Sequence, residues 1–351
     1  MPAMATMALA RLVELASSVV GRGELAALGG GAVVVDLEGE GAAADGAAPT
    51  ADGHAPGAVA DLPIVVVGVA PGAGTPADRG LPGADVVDVV VGHDAAAARV
   101  VAAVDARPLA ATALALLLRG SDRRTVPEGL VAESATYSLL QFGPEHVAWL
   151  DRRGPPRVRE RDERPLRMRR EGDGGAVLHI TLDRPAVRNA YDAAMRDALL
   201  DALAVAQADP GVRVLLDGAG PSFCSGGDLD EFGTRRDPAS AHLVRLGRSA
   251  AHALHLVADR VTARVHGASV GSGVELAAFA GRMEAAPDAT FALPEVAMGL
   301  VPGAGGTVSI PARIGRHRTA WLALTGERID APTAREWGLV DEVVEEVTSV
   351  T

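Results

Sequence analysis

Two glycine-rich loops and two glutamates carry the chemistry this chain offers. The loops are Phe223-Cys-Ser-Gly-Gly-Asp228 and Gly267-Ala-Ser-Val-Gly-Ser-Gly-Val-Glu275, and a further glycine cluster, Pro302-Gly-Ala-Gly-Gly-Thr307, follows them. The first two come just after Val212–Leu216 and Val261–Val265, runs that read as strands. In an α/β sheet, ligands bind beyond the carboxyl ends of strands, and glycine there lets backbone N–H groups come close. A helix opening near Gly273 aims its positive end at the same place. Together the loops make a reasonable oxyanion hole for a thioester carbonyl, each donor contributing roughly 3 kcal/mol to the transition state. Taken singly, either loop reads as an ordinary turn. Glu275 closes the second loop and Glu295 follows Pro294. Two carboxyls whose pKa values are pushed apart can divide general acid and general base work. The plainer alternative is a helix cap and a loop salt bridge.

The elements that must position these groups alternate in the second half of the chain. Ala176–Leu182, Val212–Leu216 and Val261–Val265 read as strands, and Ala190–Ala208, Ala241–Leu256 and Gly273–Ala280 as helices. That order marks an α/β domain, placed at residues 174–351. Residues 1–151 form a first region. A helical pattern over Met7–Leu28 precedes short valine-rich strands at Ala32–Leu37, Ile64–Val69 and Val86–Val91. Gly39–Ala60 reads as a loop. Helical spacing then runs from Asp94 to Leu118, divided at Pro108, and continues over Glu128–Gln141 and Pro144–Asp151. Residues 152–173 read as a linker, because Arg152–Arg170 holds nine arginines interrupted by Pro155, Pro156 and Pro165.

Composition removes several other functions. The 351 residues include 33 basic and 45 acidic side chains, a net charge of −12 that argues against a nucleic-acid partner. Every one of those basic residues is arginine, which rules out a Schiff-base lysine and a Walker-type phosphate loop. Gly68–Gly74 (GVAPGAG) lacks the GxGxxG spacing and reads as a surface turn. The single cysteine, Cys224, excludes an internal disulfide framework and reads as a packed residue. His242, His252 and His255 have no carboxylate completing a ligand set, so no metal is expected. No apolar run reaches 18 residues and no basic leader precedes the N-terminal apolar stretch, so the expectation is a cytoplasmic protein with no membrane partner. The acidic end, Asp341–Glu346, reads as a solvated terminus.

Five blocks, in order, resemble the enoyl-CoA hydratase/isomerase (crotonase) superfamily. They are Ile180-Thr-Leu-Asp-Arg-Pro-Ala-Val-Arg-Asn-Ala190, Ser222–Leu229, Val265–Leu276, Phe291–Gly306 and Ala331–Val340, and they cover about half the chain. The resemblance implies a crotonase-like spiral of ββα turns, an acyl-CoA thioester as substrate, and no cofactor beyond the coenzyme A that the substrate brings. It puts oxyanion donors at the N–H groups of Gly227 and Ser272, and acid–base roles at Glu275 and Glu295. Ser225, Gly226, Asp228 and Gly271 fall in the substrate-binding loops, and Arg184 and Arg188 are best placed for the phosphates. Where relatives often carry asparagine, this chain has His266, read as a structural hydrogen-bonding residue. The implied reaction is hydration of a 2-enoyl-CoA in fatty-acid metabolism. Isomerisation, decarboxylation or thioester hydrolysis through the same enolate is the alternative, and a non-catalytic acyl-CoA-binding subunit is a third reading. A homo-oligomer, trimer or dimer of trimers, is implied as well.

Relatives continue past the Gly-Leu-Val block into a helical tail, whereas eleven residues follow Val340 here. A similar pattern stands upstream: Ala102–Ala110, Leu114–Arg119, Glu128-Gly-Leu-Val-Ala-Glu133 and Pro144–Pro156. The expectation is that the N-terminal region supplies the cover of the site, with Arg152 and Arg153 near the phosphates. An unrelated helical accessory domain is the alternative.

Overall fold

The computed structural model describes residues 6–27, 31–37, 57–74, 76, 81–157, 164–235 and 237–345. Its first unit is a small parallel sheet. β1 (Thr6–Ala8), β2 (Ala32–Asp36), β3 (Val65–Val69) and β4 (Val89–Val91) lie in that order, with α1 (Leu9–Ala16), α2 (Val19–Ala27) and the short α3 (Gly57–Ala60) between them. Alternation along the valine runs explains why both faces are buried. Val34, Val65, Val67, Val69, Val89 and Val91 face the main core, while Val33, Val35, Val66 and Val90 pack with Leu9, Leu12, Leu15 and Leu62.

Four helices follow: α4 (Asp94–Ala106), α5 (Pro108–Arg119), α6 (Val126–Gln141) and α7 (Pro144–Arg153). Pro108 opens α5 after a 114° bend from α4. A reciprocal capping box between Thr125 and Glu128 starts α6. Among the described residues no single helix is long and apolar enough to cross a membrane.

The larger sheet has the order β13-β10-β8-β7-β6-β5. Its strands are β5 (Leu166–Glu171), β6 (Val177–Leu182), β7 (Arg213–Gly218), β8 (Val261–Val265), β10 (Arg282–Ala285) and β13 (Glu342–Val343), parallel except for the β5–β6 pair. A second sheet joins β9 (Ala268–Val270), β11 (Thr290–Ala292) and β12 (Ile329–Asp330). The chain winds from one sheet to the other and then into a helix: β8, β9 and α11 (Ser272–Ala277), then β10, β11 and α12 (Gly306–Thr325). An isolated bridge from Cys224 to Ser269 brings the loop after β7 onto the second sheet. α8 (Ala193–Ala208), α9 (Pro238–Gly247), α10 (Ala250–Leu256) and α13 (Ala331–Trp337) complete the outer layer.

The two halves share one core. Residues of α4, α5 and α6 sit in the same buried cluster as the strands of the larger sheet and as Ile310, Ile314 and Trp321 of α12. Arg316 of α12 donates to the carbonyls of Ala84, Asp85 and Val87, and Arg119 of α5 holds Asp88 at 2.7 Å with both side chains buried. This mixed α/β architecture agrees with the expected class.

Several boundaries differ from expectation. Met7–Leu28 is not one helix: Met7 and Ala8 belong to β1, Leu28 lies outside the described residues, and Ser17 and Ser18 divide α1 from α2, Ser17 Oγ donating to Val13 O and Ser18 Oγ accepting the N–H of Gly21. Ala241–Leu256 likewise splits at Ser249, whose Oγ accepts the N–H of His252 and caps α10. The stretch 152–173 is not all linker. α7 runs through Arg153, and β5 pairs with β6 as an edge strand whose arginines meet Asp183, Glu171 and Asp209. The acidic end is partly engaged, since Asp341 accepts the N–H of Met283 and Glu342 pairs with Arg282. The Gly39–Ala60 loop lies outside the described residues apart from Gly57–Ala60.

Candidate functional site

The loop after β7 is held by a buried asparagine. Asn189 Nδ2 donates to the carbonyls of Ala219, Ser222 and Phe223, while its Oδ1 accepts the N–H of Arg184. Tyr191 then pairs with this loop: its N–H donates to Gly226 O, and its carbonyl accepts the N–H of Asp228. In that parallel register the N–H of Gly227 points to the opposite side. Ser272 is the first residue of α11, so its N–H has no acceptor within the helix. Among the described residues neither N–H has a hydrogen-bond partner, and both residues line one cavity of about 200 Å³.

Glu275 and Glu295 line that same cavity, each almost fully buried. Glu275 Oε2 accepts the N–H groups of Ala304 (2.7 Å) and Gly306 (2.9 Å). Glu295 Oε2 is buried with no partner among the described residues, and its Oε1 lies so close to Gly271 (φ +49°) that any Cβ there would collide with it. Burial raises both carboxyls. Glu295 is pushed up to about 8, and Glu275 is driven well above the usual carboxylate range by burial and by the charges of Glu295 and Glu133. Two like charges buried in one cavity resist ionising together, so the pair retains a proton near neutral pH.

The opposite wall comes from α6 and α9. Glu133 Oε1 accepts the N–H of Gly305 (2.7 Å), and its Oε2 accepts the N–H and the hydroxyl of Thr307 (2.8 and 2.7 Å). Burial nevertheless pushes its carboxyl up to about 7. The loop leading into α12 is thus gripped by Glu275 from one side and Glu133 from the other. Tyr137 packs over Gly303 and beneath the Arg245 guanidinium, 4.6 Å from the ring centre. Glu133 stood in a recognised block, but nothing in its local sequence told that its carboxyl reaches across 170 residues. Tyr137 and Arg245 carried no signal at all.

An outer groove of about 980 Å³ adjoins the cavity and shares Gly227, Asp228, Phe232 and Glu295 with it. Arg153, Arg157, Arg188, Ser225, Gly226 and Gly271 are among its lining residues. Arg188 sits there in a left-handed backbone conformation (φ +53°). Arg184 is a correction. Its guanidinium is buried against Asp192 (2.8 Å), Asp228 (3.6 Å) and the carbonyl of Ala190, so it braces the loops and does not reach the groove. Arg152 is exposed and does not line the groove, whereas Arg153 lines it and pairs with Asp230. His266 bonds to the carbonyl of Gly220 (2.8 Å), away from the cavity. Cys224 is packed, and burial pushes its thiol up to about 11.

Wound ββα turns thus bring two buried carboxyls and two free amides to one cavity. Residues 172–351 match the enoyl-CoA hydratase/isomerase family, and the chain belongs to that family, within the crotonase superfamily. It is 36% identical over 180 residues to the enoyl-CoA isomerase/hydratase fer4 of Mycosarcoma maydis, a match covering 48% of this chain and 65% of that protein. It is 33% identical over 180 residues to the 1,2-epoxyphenylacetyl-CoA isomerase of Escherichia coli, covering 49% of this chain and 68% of that one. Among solved structures, the enoyl-CoA hydratase of Thermoplasma volcanium is 34% identical, with a TM-score of 0.48 over 52% of this chain and 72% of that one. The matched part of the chain thus spans about 65% of the length of the first of these relatives.

Proposed function

We propose that the cavity hydrates the double bond of a 2-enoyl-CoA thioester. The observation that carries this reading is the presence of two buried carboxyls, Glu275 and Glu295, in the cavity that also holds the free N–H groups of Gly227 and Ser272. The thioester oxygen accepts from both amides. As water adds, one ionised carboxyl takes a proton from it and the hydroxyl oxygen bonds to Cβ. The π electrons move toward the thioester oxygen as an enolate. The other carboxyl, still protonated, then delivers its proton to Cα. Atoms balance as one water added, and the proton pair ends exchanged between the two glutamates. Amides in a dry site stabilise the enolate by roughly 3 kcal/mol each, without reorganising.

Double-bond isomerisation needs one carboxyl to move a proton between two carbons of the same substrate. A second acid, raised by the same burial, favours addition of water over that transfer. The adenosine diphosphate part of the coenzyme fits the outer groove, where Arg188 and Arg153 supply cations for its phosphates. On this reading α4–α7 stand where relatives have their C-terminal tail, keeping the acyl site dry. The test is product analysis with crotonyl-CoA and a 3-enoyl-CoA. 3-Hydroxybutyryl-CoA from the first, with the second left unchanged, supports hydration. Conversion of the second alone overturns it.

A further inference from the structure

Arginines and carboxylates both line the inner cavity beside Glu275 and Glu295. Three arginines line it: Arg196, Arg235 and Arg245. Arg196 is paired with Asp197. On the acidic side, Asp192 and Asp228 share the single guanidinium of Arg184, and Glu231 receives the N–H of Ala193 on both oxygens, so all three are engaged away from Arg245. Arg245 and Arg235 have no acidic partner within ion-pair distance among the described residues.

Arg245 is the better placed of the two. It projects from α9 toward α6, stacked on Tyr137, and all its hydrogen bonds go to neutral groups: Ser134 Oγ and O, Ser138 Oγ, and Gln141 Oε1 at 3.4 Å. The nearest carboxylate, Glu133, has both oxygens turned to Gly305 and Thr307. A half-buried guanidinium with no carboxylate in direct contact is costly, and burial presses its pKa down although the charge of Glu133 acts the other way. Its planar fork suits a carboxylate, which it can hold by two parallel bonds.

We propose that this cavity takes acyl groups whose far end carries a carboxylate, bound by Arg245 between α6 and α9 with Arg235 at the cavity's edge. The substrate class is then an ω-carboxyl acyl-CoA in place of a methyl-ended fatty acyl-CoA. The assignment rests on the acyl-CoA reading above but not on the reaction performed.

Binding and turnover therefore separate the two claims. Calorimetric titration of the full chain with saturated acyl-CoA thioesters, butyryl to octanoyl, and with their ω-carboxyl counterparts reads binding alone. The expected preference for the carboxylated partner at the best chain length is roughly ten- to a hundredfold, the worth of a charge-assisted hydrogen bond. Arg245→Met should reduce that ratio to near unity. Gln141→Glu, which leaves Arg245 in place but gives it an internal counter-charge, should do the same, and it decides the matter if Arg245→Met does not fold. No preference at any length, or a preference that survives Gln141→Glu, overturns the proposal, as does failure of every thioester to bind. A preference that depends on Arg245 without hydration of either enoyl thioester sustains the subsite and overturns the hydratase reading. Hydration without preference does the reverse.

Discussion

The wall of the inner cavity built by the loops after β7, β9 and β11 differs from the wall built by α6 and α9 in how its polar groups are held. On the loop side, groups are left free: the N–H of Gly227, the N–H of Ser272 and Glu295 Oε2 have no partner among the described residues. On the helical side, Glu133 meets three donors and Arg245 contacts Ser134, Ser138 and Gln141. Leaving a buried polar group unmatched costs about 1–3 kcal/mol, so it persists where a ligand will supply the match. On the proposed reading the loop wall is therefore the reacting wall. The helical wall spends its hydrogen bonds on fixing the loop into α12, which in turn fixes Glu275.

Removing the helical wall tests that division most harshly. A fragment beginning at Leu166 lacks α4–α7, uncovering apolar surface on α12 and leaving Glu275 and Thr307 without Glu133. It should aggregate or elute as a misfolded species and turn over no thioester. A soluble, fully active fragment on gel filtration would show that the loop wall needs no partner. Next in size, Glu133→Gln puts an amide N–H against a backbone donor at Gly305 or Thr307. Urea denaturation should show a loss of about 1–3 kcal/mol. A neutral result would mean the grip on the α12 loop is incidental.

Glu295 offers a smaller effect of definite sign. Its carboxyl rises from an ordinary 4.5 to about 8 on folding. Between those values the folded chain binds more protons than the unfolded one, so Glu295 makes stability fall as pH rises through that window. Glu295→Gln removes the slope, and its melting temperature should gain on wild type from about pH 5 to about pH 8. A constant difference would contradict a buried, raised carboxyl. Smallest of all, Ser272→Gly keeps the main-chain donor, and kcat should change only a few-fold.

The same contrast explains what could be read from sequence. The loop wall announces itself locally, since each group sits within a few residues of a strand end and a glycine cluster. Gly227, Ser272, Glu275 and Glu295 were nominated because those blocks resemble the family's, and all four meet in one cavity. β8 was located at its observed bounds, Val261–Val265. The helical wall depends on pairings across 104 to 174 residues, such as Gln141 with Arg245 and Glu133 with Thr307, which no local pattern encodes. Arg184 was misassigned for a related reason. Nothing in the Asp-Arg-Pro block tells that Asp192 and Asp228 close around its guanidinium. β5 was hidden because an edge strand needs no apolar face, and Leu166–Glu171 presents mostly arginine.

The central claim is that Glu275 and Glu295 act as separate proton carriers over one bound thioester. Its most direct measurement follows hydration and Cα-proton exchange side by side, using crotonyl-CoA and butyryl-CoA in deuterated water, for wild type, Glu275→Gln and Glu295→Gln. Each variant should lose hydration by roughly 10²- to 10⁴-fold, and one of them should keep Cα exchange while the other loses it. Hydration that persists at the wild-type rate in either variant would contradict the account.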